Sequence, residues 1–111
     1  MHDPITIRLV YVASKNLEEA RRIGQTVVKE GLCACVNILG EIQSMYSWEG
    51  KFIDDREVAF LCKTSEAKVQ ALIGRIRELH SYDCPSIVSW SADLGNQAFF
   101  TWVQKCTNSG A

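Results

Sequence analysis

The stretch 32-LCACVNI-38 decides the fold. All of it except Asn37 is apolar, and at successive positions rather than alternate ones. A strand written this way is covered on both faces, whereas a half-buried strand alternates apolar and polar residues. A second stretch, 58-VAFLC-62, has the same character. The sheet that contains them therefore has two apolar faces, and the rest of the chain has to be read for what covers each.

Upstream, residues 5–13 are rich in β-branched side chains and read as a strand, broken by Ser14 to Asn16. Asn16 followed by Glu19 has capping-box spacing, which predicts a helix from there to about Glu30. Leu17, Ala20, Gly24, Val27 and Val28 make its apolar stripe, with Ile23 at the edge, and Gly31 stands at a C-terminal cap position. Downstream, Gly40 allows a bulge. Ile42, Ser44, Tyr46 and Trp48 then alternate with Glu41, Gln43, Met45 and Ser47, and Glu49-Gly50 reads as a tight hairpin turn. The returning strand runs from near Lys51 to Lys63, with Asp54-Asp55-Arg56 as a polar bulge or exposed rim. A second helix is predicted from Thr64 or Ser65, with Val69, Leu72, Ile73, Ile76 and Leu79 as its stripe. Pro85 disfavours helical geometry at Cys84, so residues 80–85 form a loop. Residues 86–92 read as a fourth strand, Gly95-Asn96 as a turn, 97–105 as a final helix carrying Phe99, Phe100, Trp102 and Val103, and 107–111 as a loose tail.

The order β-α-β-β-α-β plus a helix is an α+β, ferredoxin-like pattern: a four-stranded antiparallel sheet with two helices on one face. The other face would be polar if it were wet. Because it is apolar, the expected cover is another copy of the same chain. The long hairpin carries Tyr46, Trp48 and Phe52 near its tip, and a two-stranded arm is marginal in water unless it docks, so these three are assigned to the subunit interface.

With 111 residues and no linker, repeat or low-complexity segment, residues 1–111 read as a single domain. The 12 basic and 13 acidic residues give a net charge of -1 without a basic stripe, which argues against nucleic acid. No apolar run approaches the roughly 20 residues of a membrane span. The start, Met1-His2-Asp3-Pro4, lacks an export pattern, and five is an odd number of cysteines. The thiols are read as free and the compartment as reducing and cytoplasmic. No nucleophile elbow, P-loop or dinucleotide fingerprint is present, so an enzyme is not expected.

Cys33 and Cys35 lie two apart, which on one strand puts them on one face with Cα atoms roughly 6.6 Å apart, at the far end of disulfide geometry. They are either packed thiols in a buried strand or a pair for a soft ion such as Cu(I). In 79-LHSYDCPSI-87, a His, a Tyr, an Asp and a Cys gather near Pro85. His80 either ligates a metal, with Asp83 or Cys84 assisting, or serves the end of the second helix, where positive charge is favoured. His2 reads as an exposed residue near the terminus. Glu57, Lys63 and Asp83 are either solvated charges or the lining of a cleft between subunits. Trp48 and Trp102 read as packing anchors rather than base-stacking platforms. Cys-His catalysis would need Cys35 beside His80 and a low thiol pKa.

Taken together, 32-LCACVNILGEIQSMYSWEGK-51, Glu57, 61-LCKT-64 and 79-LHSYDCP-85 resemble the divalent-cation tolerance proteins called CutA, across nearly the whole chain. The resemblance implies a ferredoxin-like subunit in a homotrimer whose assembly is similar to that of the PII signalling proteins. It implies a role in the response to divalent cations, with no reaction assigned and no obligatory cofactor, and Cu²⁺ or Zn²⁺ as ions that some members bind. Carried over residue by residue, Cys35, Tyr46, Trp48, Gly50, Lys51, Glu57, Lys63, Thr64, His80, Tyr82 and Pro85 match the family pattern. Ser81, Asp83 and Ser86 depart from its Pro, Glu and Glu. The resulting expectations are a metal set of His80, Cys35 and Asp83 and a cleft set of Glu57, Lys63 and Tyr82. The alternative function is a signalling or scaffold trimer that holds a small ligand or partner protein at the cleft between subunits.

Overall fold

The computed structural model describes residues 4–108. Its elements are β1 (Ile7–Ser14), α1 (Leu17–Lys29), β2 (Cys35–Trp48), β3 (Lys51–Ser65), α2 (Val69–Leu79), β4 (Ile87–Ala92) and α3 (Gln97–Asn108). The four strands form one antiparallel sheet in the order β2-β3-β1-β4. This is the expected α+β, ferredoxin-like arrangement.

Local chemistry fixes the ends of α1. Asn16 caps it by accepting from the Glu19 amide at 2.8 Å, while Glu19 Oε1 reaches back to the Lys15 amide at 2.9 Å, a capping box displaced by one residue. At the other end the Leu32 amide donates to the Val27 carbonyl and the Gly31 amide to that of Val28, the Schellman pairing, with Gly31 at φ +72°. Helix α2 starts later than the sequence predicts. Thr64 and Ser65 finish β3, and their hydroxyls are used across the fold: Thr64 Oγ1 donates to the Leu32 carbonyl at 2.7 Å and Ser65 Oγ accepts from Thr107 at 2.9 Å. Thr107 belongs to α3 and is buried, so it is not part of a loose tail; residues 109–111 of the expected tail, and His2 at the other end, lie outside the described residues.

Helices α1 and α2 lie on one face. Their apolar stripes meet Val10, Val12, Val58, Phe60 and Cys62 in the main core. Gly24 lets α1 approach β2, since a Cβ there would lie 3.1 Å from a Val36 methyl. The second face has a cover the sequence reading did not assign. Helix α3 packs Phe100 and Val103 against Ile7 and Ala34, with Leu9, Ala92, Phe99 and Cys106 around them. It screens only one end of that face. Elsewhere on it, Val88, Trp90, Tyr46 and Trp48 stand 55%, 43%, 41% and 48% exposed. They belong to one face because Trp90 pairs with Leu9 and Val88 with Tyr11, while Tyr46 and Trp48 share the parity of Ile42, opposite Glu57.

Strands β2 and β3 continue past the last β1 pairing, Ser14 with Val58, out to Trp48 opposite Lys51. This two-stranded arm gives the molecule its 54 Å length. Its tip is a two-residue turn with Glu49 at φ 51° and Gly50 at φ 80°, the backbone of a type I′ hairpin. The register is unbroken through Asp54-Asp55-Arg56, which is an exposed rim rather than a bulge; the bulge lies between Ile38 and Gly40. Phe52 pairs with Ser47 and so points to the opposite face of the arm from Tyr46 and Trp48.

Candidate functional site

At the root of the arm, on the open face, lies a cavity of about 580 Å³. Alternation along the strands builds it. Tyr11 and Ala13 come from β1, Asp55 and Glu57 from β3, and Ile42, Ser44, Tyr46 and Trp48 from β2. The loop after α2 closes one side with Tyr82, Asp83, Cys84 and Ser86.

His80 anchors that loop from behind. It is buried, its Nε2 lies 2.8 Å from the Ala13 carbonyl, and its Nδ1 accepts from the Tyr82 amide at 3.1 Å. An accepting Nδ1 places the ring proton on Nε2, which then donates to Ala13. Glu19 sits beneath the same loop. Its Oε2 accepts from the Ser81 amide at 3.0 Å, and Oε1 lies 3.8 Å from His80 Nδ1. Burial works against the Glu19 carboxylate, but bonds from Lys15 and Ser81 and the neighbouring His80 ring outweigh it and hold the pKa below its ordinary value. The imidazole ring also packs on the Tyr82 ring, with centroids 4.7 Å apart. Tyr82 in turn donates its hydroxyl to Glu57 Oε2 at 3.1 Å. Burial first, then the Glu57 carboxylate, pushes the Tyr82 phenol well above its ordinary range, so it stays a donor.

Of the expected cleft set, Glu57 and Tyr82 are therefore in direct contact. Lys63 is not with them. It is six residues along β3, roughly 20 Å at strand rise, and its ammonium lies 5.6 Å from the centroid of the Phe99 ring on α3. The metal set is likewise not assembled. His80 and Asp83 share the loop, but Cys35 pairs with Lys63 at the far end of the sheet. Among the described residues no three His, Cys, Asp or Glu side chains come close enough to share a metal ion. Cys33 precedes β2 and is buried with Cys62 in the helix-side core, whereas Cys35 has the register of Leu9 on the other face. The two thiols thus do not share a face, because the strand begins only at Cys35. All five cysteines are free. Burial pushes the Cys35 thiol up, only partly offset by Lys63, which is the opposite of an activated nucleophile.

Three features of this site were missed from sequence: Glu19, Tyr11 and Asp55. Glu19 was accounted for as a capping residue, and its second role needs Ser81, 62 positions away in chain order, to fold over it. Tyr11 and Asp55 carry a legible signal, since they share strand parity with Ala13 and Glu57, but the strand register is needed to use it.

A family model described as "CutA1 divalent ion tolerance protein" matches residues 8–106. The chain is 39% identical over 95 residues to the "Divalent-cation tolerance protein CutA" of Pyrococcus horikoshii, covering 86% of this chain and 92% of that one. It is 33% identical over 106 residues to the "Protein CutA" of Homo sapiens, covering 96% of this chain but 59% of the human protein. The chain thus spans about three fifths of the length of the first curated relatives it matches. The crystal structure of CutA1 from Oryza sativa superposes with a TM-score of 0.90 at 33% identity, covering 96% of this chain and 97% of that one. A CutA structure from Archaeoglobus fulgidus, described as periplasmic, gives 0.87 at 32% identity, covering 91% and 98%.

Proposed function

The chain belongs to the family of CutA1 divalent ion tolerance proteins, and from that premise we propose that it is a homotrimeric, non-enzymatic protein of the cellular response to divalent cations, built as one domain over residues 1–111. The observation that carries the trimer is the exposure of Val88 and Trp90 on β4 and of Tyr46 and Trp48 on the arm, all on the sheet face that α3 covers at one end only. Large apolar side chains left exposed on one face in this way favour burial against other subunits. Five free thiols suit a reducing compartment, and we place the protein in the cytoplasm. Among the described residues no helix is long and apolar enough to cross a membrane.

Binding of Cu²⁺ or Zn²⁺ is proposed to be modest, for a physical reason. His80 already spends both ring nitrogens on Ala13 and Tyr82, so coordination has to displace one of those bonds. Asp83 is the next ligand at hand, and Cys35 would have to reach it from elsewhere in the assembly. Calorimetric titration of the reduced protein with Cu²⁺ and with Zn²⁺, repeated on His80→Ala, tests the assignment. Weaker binding in the variant supports it; unchanged affinity removes His80 from the role.

A second reading is favoured by the Glu57–Tyr82 contact inside the cavity. In it the trimer is a signalling-type module, similar in plan to PII proteins, and the cleft holds a small ligand. Thermal midpoints that rise with ligand concentration distinguish this reading, because only ligands of the native state shift them that way.

A further inference from the structure

We infer that the cavity at the root of the arm is a binding site for a linear aliphatic polyamine. This names the ligand class of the cleft and rests on the second reading above.

The charge pattern comes first. Asp55, Glu57 and Asp83 line the cavity, and no lysine, arginine or histidine does. None of the three carboxylates forms an ion pair with a basic side chain among the described residues. Glu57 is the most telling. It is only 7% exposed, one oxygen is taken by the Tyr82 hydroxyl, and the other accepts no hydrogen bond from any described residue. No buried side-chain oxygen among the described residues lacks a partner, so the second Glu57 oxygen is open to the cavity, and with no basic side chain beside it the carboxylate favours a cationic ligand.

Spacing decides what kind of cation. A single metal ion needs several ligands converging on one point, and no such triad exists among the described residues. The carboxylates are spread out instead. Asp55 and Glu57 sit two positions apart on the same face of β3, roughly 7 Å along the strand, and Asp83 approaches from the loop after α2. One molecule that satisfies separated anions must carry separated cations. Ammonium groups joined by three or four methylenes have that reach.

The walls fit the rest of such a molecule. Tyr11, Tyr46, Trp48 and Tyr82 supply aromatic faces, to which ammonium groups are attracted and along which methylene chains pack. The volume, about 580 Å³, lies in the range of small-molecule sites and exceeds what a hydrated ion would use. No covalent step is involved. Each ammonium exchanges water for a carboxylate and an aromatic face.

Calorimetric titration of the full chain with spermidine at physiological ionic strength is the test, with butylamine and Mg²⁺ as comparison ligands. Spermidine should bind, butylamine should bind far more weakly, and Mg²⁺ at matched ionic strength should not displace the polyamine. Glu57→Gln and, at an exposed position whose side-chain oxygen can still accept from the Arg56 amide, Asp55→Asn should each weaken binding by roughly tenfold, the scale of one charge-assisted contact. Absence of spermidine binding, displacement by Mg²⁺ as readily as by a second polyamine, or unchanged affinity in both carboxylate variants would each overturn the assignment. A trimer that ignores spermidine overturns the ligand class and leaves the family reading intact. A chain that binds spermidine as a monomer supports the site and removes its placement between subunits.

Discussion

Buried polar side chains decide the geometry behind the cavity, and each is satisfied by a specific neighbour. His80, Glu19 and Tyr82 fasten the loop after α2 to the end of β1 and the start of α1. Removing one partner leaves the other buried and unpaired, which is the expensive case. Tyr82→Phe strips Glu57 Oε2 of its donor and is expected to cost about 1–3 kcal/mol in denaturant unfolding. Glu19 sets a pH dependence. Its folded pKa lies below the ordinary 4.5, so the unfolded chain binds its proton more readily. The stability it contributes is fully present above pH 4.5 and is lost as pH falls through the lowered value. Glu19→Gln should therefore flatten the acid limb of the stability curve below that point, while at neutral pH the variant is simply less stable. At this scale the sequence was only partly readable. Glu57 and Tyr82 were assigned to one cleft, but the hydrogen bond between them is a finding of the fold. The separation of Lys63 and Cys35 from them was not legible, because it depends on distance along strands whose register is set by the fold.

Hydrophobic period and cap chemistry specify the elements. Helix α1 carries its capping box at one end and Gly31 at the other, and its bounds follow from them within about a residue. The start of α2 was misread for an identifiable reason. Thr64 and Ser65 have the side chains of helix caps, but both hydroxyls are drawn into tertiary hydrogen bonds, to Leu32 and from Thr107, so the strand runs on and the helix begins at Val69 without a side-chain cap. The hairpin turn was legible from Glu49-Gly50, and its one unfavourable feature is a non-glycine residue at φ 51°. Asparagine tolerates that region better than glutamate and leads the preferred two-residue turn. Glu49→Asn should raise stability by up to about 1 kcal/mol in thermal or denaturant unfolding, through the turn alone. Gly50→Ala should do the reverse, since alanine at φ 80° is strained.

For the whole molecule, the apolar runs 32–38, whose strand begins at Cys35, and 58–62 required a second cover for the sheet. One part of that cover is α3, whose Phe100 and Val103 close the end near Ile7 and Ala34. The sequence located a final helix and its apolar residues but not the face they would join, since nothing in a short helix following a turn names its destination. The other part comprises the exposed Val88 and Trp90 on β4 and Tyr46 and Trp48 on the arm, which are assigned to neighbouring copies. A charge placed there should break the assembly while sparing the core, because Trp90 is half exposed in a single subunit. Trp90→Asp is thus expected to sediment as a smaller species with its secondary structure retained. The most direct measurement is sedimentation equilibrium of the wild-type chain at micromolar concentration. The account predicts a single species of three times the chain mass, unchanged by dilution over a tenfold range; a species of one chain mass would contradict it.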